Sequence, residues 1–348
     1  MSLATHRPRF SEQEARRLAA ALYGLDAAPH LLPGERDQNF LLRAADGAAY
    51  VLKIAAAGEA RALLDLQHDV LAHLAHAGGA GAYPRVCPTL AGEAVAAVEG
   101  AGGVRHDVRL LTYLEGVPLA RVRPHVPALL RSVGRLLGET DAALAGFTHP
   151  AARRTFLWDL RQAPSVVRDH LRFVADPARQ ALVRRFLDAF ARDTAPRLDG
   201  LRTSLVHNDA NDYNVLVDVL AGASAAPERS VVGLPERSVV RLIDFGDLVH
   251  TYTVAEPAVA AAYAMLDAPD PLAAAAHVVA GYHEAYALDE AELDVLFPLA
   301  GLDPSRAEEY ARVRTIADRL SYAGNEAARA YLDGRISADS AAKWLNAA

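Results

Sequence analysis

Two short stretches hold residue types whose order and spacing could do chemistry. The first is His207-Asn208-Asp209-Ala210-Asn211-Asp212-Tyr213-Asn214, followed by apolar strand-like text; the second, thirty residues on, is Ile243-Asp244-Phe245-Gly246-Asp247. A substrate hydroxyl that is to attack phosphorus needs a carboxylate to orient it and accept its proton, and Asp209 on a loop can present one. A phosphoryl group in transit carries concentrated negative charge, so hard oxygen ligands must hold Mg2+ beside it. Asn214 and Asp244 can supply them. Alone, each half says little: an aspartate at a strand end is commonly a turn residue, and H-x-D-x-x-x-x-N occurs in unrelated chains. In this order, each flanked by apolar strand, they predict a kinase-like site.

Upstream, Lys53 in AYVLKIA shares a strand face with Val51, while Leu52 and Ile54 point the other way. It could reach the α- and β-phosphates of a nucleotide. Such a lysine usually needs a carboxylate to hold it, and the next helix offers Glu59, Asp65 and Asp69. Asp65 is the favoured partner, although Asp65 and Asp69 share a helix face that also reads as merely solvated.

The elements that must position these groups follow from periodicity. Residues 11–23 open with Ser11 and Glu14 in capping-box spacing and continue at helical period. Gln38 to Ala55 reads as a β-hairpin turning at Ala45-Asp46-Gly47, and Glu59 to Ala77 as a helix with an apolar stripe of Leu63, Leu66, Val70, Leu71 and Leu74. Strand-like runs at 85–98 and 104–114 complete a small sheet-rich lobe. After Gly116 the text is mainly helical, with helices expected at 126–146, 153–173 and 178–192, interrupted only by short strands at 204–207, 214–218 and 239–244. The expected division is an N-lobe at 1–112, a hinge at 113–118 and a helical C-lobe at 119–348, with a cleft between the lobes. PERSVVGL (227–234) is repeated at once as PERSVVRL (235–242); only the second copy runs into Ile243-Asp244, so the first reads as a surface insertion.

Composition bounds the function. At 348 residues the chain exceeds the size of one growing core, and 52% hydrophobic with 23% charged residues excludes wholesale disorder. A net charge of -7 argues against nucleic-acid and anionic-membrane partners, and no obligate protein partner is implied. The single cysteine, Cys87, excludes an internal disulfide or a thiol metal cluster. Residues 1–10 lack the apolar core of a signal peptide, and the longest apolar stretch, 257–266, is about half a membrane span. A cytoplasmic protein is expected.

Together, Lys53, H-x-D-x-x-x-x-N and I-D-F-G resemble the aminoglycoside phosphotransferase and choline kinase-like superfamily. ERDQNFLL (35–42), LLDLQ (63–67) and IDFGDLVHTYTVAEPAVAAAYAML (243–266) look like hydroxylysine kinases and the phosphotransferase domains that precede class III aminotransferases in larger fusions. The likeness spans about residues 20–297. It implies an α+β, protein kinase-like two-lobed fold that uses ATP or GTP with Mg2+. Position by position, it makes Asp209 the catalytic base, Asn214 and Asp244 the Mg2+ ligands and Lys53 the phosphate clamp. It makes Glu35 to Phe40, with Asp37, Gln38 and Asn39, the loop over the nucleotide, and Leu111 to Glu115, with Tyr113 and Leu114, the hinge against the purine. Glu256 becomes a structural acid of the C-lobe. The nucleotide loop departs from a protein kinase in holding one glycine, Gly34, and residues 303–345, read as two helices, fall outside the kinase pattern.

Other signals are set aside. Gly78 to Gly81 and Gly100 to Gly103 are followed by strand-like text and not by a dinucleotide-binding helix. His68 and His73 point ~140° apart on one helix, which makes no metal site. Acceptor-site candidates are Asp212, Tyr213, Asp247 and Trp158, with Tyr252 a further ring for cation-π contact with an ammonium; for Trp158 a core position is the better reading, and for Tyr213 the two readings stand level. The expected reaction is transfer of the γ-phosphoryl of ATP or GTP to the hydroxyl of a small hydroxylated amine or amino acid, 5-hydroxylysine first. Homoserine, choline or an aminoglycoside are alternatives, as is a silent nucleotide-binding module. An amino-acid acceptor would also need a cation such as Arg161 or Arg168.

Overall fold

The computed structural model describes residues 7–34, 36–79, 81–218, 229–230, 240–266 and 268–300. The first copy of the PERSVV repeat, apart from 229–230, and the helices expected at 303–345 lie outside the described residues. The chain divides into two compact units, Met1–Glu115 and Gly116–Ala348.

In the first unit, α1 (Glu12–Tyr23) begins at the expected capping box: Ser11 accepts from the Glu14 N–H, and Glu14 reaches back to the Ser11 N–H at 2.7 Å. β1 (Ala27–Leu32), β2 (Gln38–Ala44) and β3 (Ala49–Ile54) form an antiparallel run, and α2 (Arg61–His76) follows. After β4 (Val86–Cys87) and β5 (Ala96–Glu99) comes β6 (Arg105–Thr112), giving a six-stranded sheet in the order β1-β2-β3-β6-β4, with β5 also on β6. The hairpin stands where it was expected. β1 was not anticipated, because AAPHLL neither alternates nor avoids proline; as an edge strand it accommodates Pro29.

The two faces of this sheet differ. Phe40, Leu42, Leu52, Ile54, Val108 and Leu110 pack with Ala15, Ala19 and Tyr23 of α1 in one core. Successive residues alternate faces, so Asn39, Lys53 and Arg109, paired in register, form a polar row on the opposite side. On α2 the buried stripe uses Leu64 in place of the expected Leu63, together with Leu66, Val70, Leu71 and Leu74.

The second unit opens with β7 (Val117–Pro118), β8 (Val122–Arg123) and α3 (Pro127–Leu144). The helix expected over 153–173 is shorter: α4 covers Ala163–His170 with Pro164 in its first turn, where its ring is tolerated as it would not be in a helix interior. α5 (Pro177–Ala189) precedes β9 (Thr203–Val206), β10 (Val215–Val217), β11 (Arg229–Ser230), β12 (Val240–Leu242) and β13 (Val249–Tyr252). Helices α6 (Ala255–Met265), α7 (Pro271–Ala285) and α8 (Glu290–Ala300) complete the described residues. β10 lies between β12 and β7, and β13 pairs with β9. Those two small sheets bring together the chemistry-bearing stretches: β9 and β10 bracket the 207–214 loop, and β12 and β13 bracket 243–248.

Candidate active site

The 207–214 loop is fixed from below and from within. Asn208 adopts φ 68°, a left-handed conformation that asparagine tolerates better than most residues. Its backbone N–H donates to Oε2 of the fully buried Glu256 at 2.7 Å, and its side-chain amide donates to the Trp158 carbonyl at 3.3 Å. His207 Nδ1 accepts the Asp209 N–H at 3.3 Å while Nε2 faces the Ile243 carbonyl at 3.1 Å, so Nε2 carries the proton. Burial holds the His207 pKa down to about 4, and its ring meets the edge of Phe245 at 4.7 Å between centroids.

Within the loop, Asn211 and Asn214 embrace the Asp209 carboxylate. Asn211 Nδ2 donates to Oδ1 at 2.7 Å and Asn214 Nδ2 to Oδ2 at 2.6 Å. Asn211 Oδ1 in turn accepts the N–H groups of Tyr213 and Asn214, at 2.8 and 3.0 Å. Burial first, and then the negative charges of Asp247 and Asp244, push the Asp209 pKa up to about 8 against those hydrogen bonds.

The second stretch is set beside the first by backbone pairing. Val215 faces Leu242 in the ladder, and the Ile243 N–H donates to the Asn214 carbonyl at 2.9 Å. Asp244 follows at φ 61°, ψ 74°, a left-handed turn that ends the strand and exposes the carboxylate. Arg154 fixes the next turn, donating to the carbonyls of Gly246 at 3.1 Å and Leu248 at 3.0 Å.

The donor set suits Mg2+ bound together with phosphate. Among the described residues no group of three His, Cys, Asp or Glu could hold a metal alone. Mg2+ does not need one, since it keeps waters and is held by one or two protein ligands plus phosphate oxygens. The mutual repulsion of Asp209, Asp244 and Asp247, visible in the Asp209 pKa, is what a cation would relieve. Asn214 commits its Nδ2 to Asp209, which turns Oδ1 toward the role of ligand. The residues fit.

The acceptor candidates are spread around the loop. Tyr213 is exposed and Asp212 and Asp247 are half-buried; Trp158 is exposed too, and not in the core where it was expected, while its carbonyl accepts from the Asn208 amide. The Arg161 guanidinium stacks 4.4 Å from the centroid of Tyr252.

In the first unit, Lys53 is almost fully buried. Asp65 is half-exposed and ion-paired with Arg61 one turn back at 2.9 Å. Asp37 lies 3.5 Å from the guanidinium of Arg109. Gln38 exchanges two 2.8 Å hydrogen bonds with the backbone of Phe10, and Asn39 Nδ2 donates to the Pro33 carbonyl at 3.4 Å. A Cβ on Gly34 would stand 2.6 Å from the Asp37 carbonyl, so the loop closes on a glycine. The Tyr113 N–H donates to the Ala49 carbonyl at 3.0 Å, and burial raises its phenol pKa. Leu114 is half-buried beside it.

Sequence reasoning did not single out Asn208, Asn211, Arg154, Gln67 or Arg109. An asparagine two residues after Asp209 is an Asx-turn signal that could have been read; the others depend on tertiary contacts.

The profile of the Phosphotransferase enzyme family matches residues 28–295. The chain belongs to this family. A hydroxylysine kinase from Mus musculus is 30% identical over 315 residues, 86% of this chain and 81% of that protein. One from Danio rerio is 30% identical over 307 residues, 85% and 82% of the two chains. Among solved structures, a microcompartment-associated aminopropanol kinase has a TM-score of 0.63 at 20% identity, covering 93% of this chain and 98% of its own. An amicoumacin kinase solved with AMP-PNP and Ca2+ reaches 0.61 at 16%, covering 97% and 92%. The fold of this phosphotransferase is therefore the kinase-like one expected, and its reaction class is phosphoryl transfer to a hydroxyl of a small molecule. Among its described residues no helix is long and apolar enough to cross a membrane.

Proposed function

We propose that this phosphotransferase moves the γ-phosphoryl group of ATP or GTP, with Mg2+, onto the hydroxyl of an amine-bearing metabolite, and that 5-hydroxylysine is the first acceptor to test. The observation that carries the choice of acceptor is the likeness, over most of both chains, to relatives named hydroxylysine kinase.

In this reading Asp209 receives the hydroxyl proton, and Asn211 and Asn214 hold its carboxylate in one orientation. Asn214 and Asp244 would hold Mg2+, which when bound would supply positive charge beside the nucleotide's phosphates. Lys53 takes the α- and β-phosphates, Asp37, Gln38 and Asn39 form the loop over them, and Tyr113 with Leu114 presents backbone to the purine. The raised pKa of Asp209 is the property of the nucleotide-free protein; positive charge gathered near Asp244 opposes the Coulomb part of that shift and favours the ionised base. Asp212, Tyr213, Asp247 and Trp158 flank the acceptor, where two carboxylates and two exposed rings suit an ammonium. The setting is the cytoplasm, where the donor nucleotide is abundant.

The test is turnover of ATP and GTP, with Mg2+, against a panel of 5-hydroxylysine, homoserine, aminopropanol, choline and an aminoglycoside. Highest kcat/KM with 5-hydroxylysine supports the assignment. Preference for choline or aminopropanol would replace the amino-acid acceptor with an amino alcohol, and no turnover with any of them would leave the proposed acceptor class wrong.

A further inference from the structure

The polar face of the first unit's sheet carries more than a lysine. Lys53 on β3 and Arg109 on β6 are directly paired in register, with Asn39 on the other side of Lys53. Both cations are nearly buried, at 8% and 3% exposure. Directly opposed like charges destabilise a sheet, and a guanidinium, which stays protonated, is costly to take from water. An apolar residue in β6 would pack there more cheaply, as Val108 and Leu110 do on the other face. The charge therefore has work to do.

Its contacts show what that is. One arm of the Arg109 fork donates to Gln67 Oε1 of α2 at 2.5 Å, and the other lies 3.5 Å from Asp37 Oδ2, in the loop between β1 and β2. A single rigid group thus ties a helix and a loop to the strand beside Lys53. His68, next to Gln67, is kept neutral, its pKa lowered to about 4 by burial and then by the Arg109 charge. The group of α2 that accepts from the Arg109 fork is thus a neutral amide, and the imidazole beside it is neutral too.

The geometry points to Arg109 as a positioning residue for the donor nucleotide: held by the neutral Gln67, it keeps the Asp37 loop and Lys53 in register and adds its charge to the anion-binding face. The assignment rests on the reading that this face takes the nucleotide's phosphates. With Asp37 already offsetting part of the Arg109 charge, a carboxylate in place of Gln67 would be a second anion on the same guanidinium and would leave less positive charge for the phosphates.

The decisive variant is Gln67→Glu. A purely structural arginine would gain from a buried ion partner, so stability would hold or rise and nucleotide binding would not change. The inference expects an unfolding midpoint at or above wild type together with roughly tenfold weaker AMP-PNP binding and a KM for ATP raised by about the same factor, while the acceptor KM stays within about twofold. Arg109→Lys, which keeps the charge but cannot span Gln67 and Asp37, should raise the ATP KM in the same direction. A folded Gln67→Glu that binds AMP-PNP like wild type overturns the inference, whatever Arg109→Lys does. Should Arg109→Lys fail to fold, Gln67→Glu decides alone; should Gln67→Glu fail to fold, Gln67→Met, which removes the grip without adding charge, takes its place with the same expected rise in ATP KM. A wild-type protein that turns over acceptor but whose Gln67→Glu form is unaltered sinks only this inference. A wild-type protein that binds no AMP-PNP sinks the underlying reading with it.

Discussion

At the scale of single residues, the loop between β9 and β10 is a machine for presenting one carboxylate. Asp209→Ala removes the group while leaving the backbone bonds to Glu256 and His207 in place, so kcat should fall by something like 10²- to 10⁴-fold with nucleotide affinity near wild type. Turnover close to normal would refute the assignment of Asp209 as base. Asn211 gives a subtler test. Its Nδ2 donates to the ionised form of Asp209 and so lowers the pKa of that group. Removing the donor in Asn211→Ala leaves burial and the neighbouring charges less opposed, so the Asp209 pKa rises and the acid limb of kcat/KM moves to higher pH. A pH-rate profile that does not move would show that the amide only shapes the turn. Asp244→Ala should abolish the Mg2+ dependence of nucleotide binding, measured by calorimetry with and without the metal.

At the scale of elements, the packing of α3 on α7 shows a constraint that the text of the sequence hides. A Cβ on Gly134 would fall 1.8 Å from the Val278 carbonyl oxygen, and one on Gly281 would fall 2.0 Å from that of Arg131. The two helices meet backbone to backbone, and the close approach lets Tyr282 donate to the buried Asp141 at 2.6 Å. Gly134→Ala must push whole helices apart, so it should cost about 3 kcal/mol, the upper part of the usual overpacking range, in urea unfolding. A cost below about 1 kcal/mol would mean that the crossing is looser than described. Periodicity made α3 legible, yet it could not reveal that Gly134 serves a crossing, because the partner lies more than a hundred residues away. The same contrast holds across the site. That Asp209, Asn214 and Asp244 stand on neighbouring turns was legible from their offsets and flanking apolar strands, the pattern that the proposed phosphoryl transfer would require. Arg109 and Gln67 were not, since nothing local distinguishes an arginine facing a helix from a solvated one on a strand.

At the scale of the whole molecule, stability against pH is a sum over buried groups that pull in opposite directions. Burial raises the carboxyl of Asp209 to about 8 and that of Glu256 to about 7, and also raises Asp141, where the charge of Glu256 adds to it. For each of these acids the folded state binds its proton more tightly than the unfolded chain, so each withdraws stability as pH rises from near 4 through the folded value. His207 and His68 act in the reverse sense. Their folded pKa values lie near 4 against 6.5, so the unfolded chain takes up protons that the folded one refuses, and the stability they contribute above pH 6.5 is lost as pH falls toward 4. The net slope between pH 4 and 6.5 is therefore a difference of similar terms, and its sign in the wild type identifies no single residue. The change in slope on replacing one residue does. Asn in place of His207 keeps an amide to accept the Asp209 N–H and cannot titrate, so His207→Asn should remove up to about 1.4 kcal/mol per pH unit of the stability gained on raising pH across that window. Urea midpoints of the two proteins, measured at half-unit intervals, should converge toward pH 4 and separate toward pH 6.5, with wild type the more stable at the upper end. Parallel curves would mean that the His207 ring titrates in the folded protein as it does in the unfolded one, and that the proton on Nε2 is not what holds the 207–214 loop against Ile243.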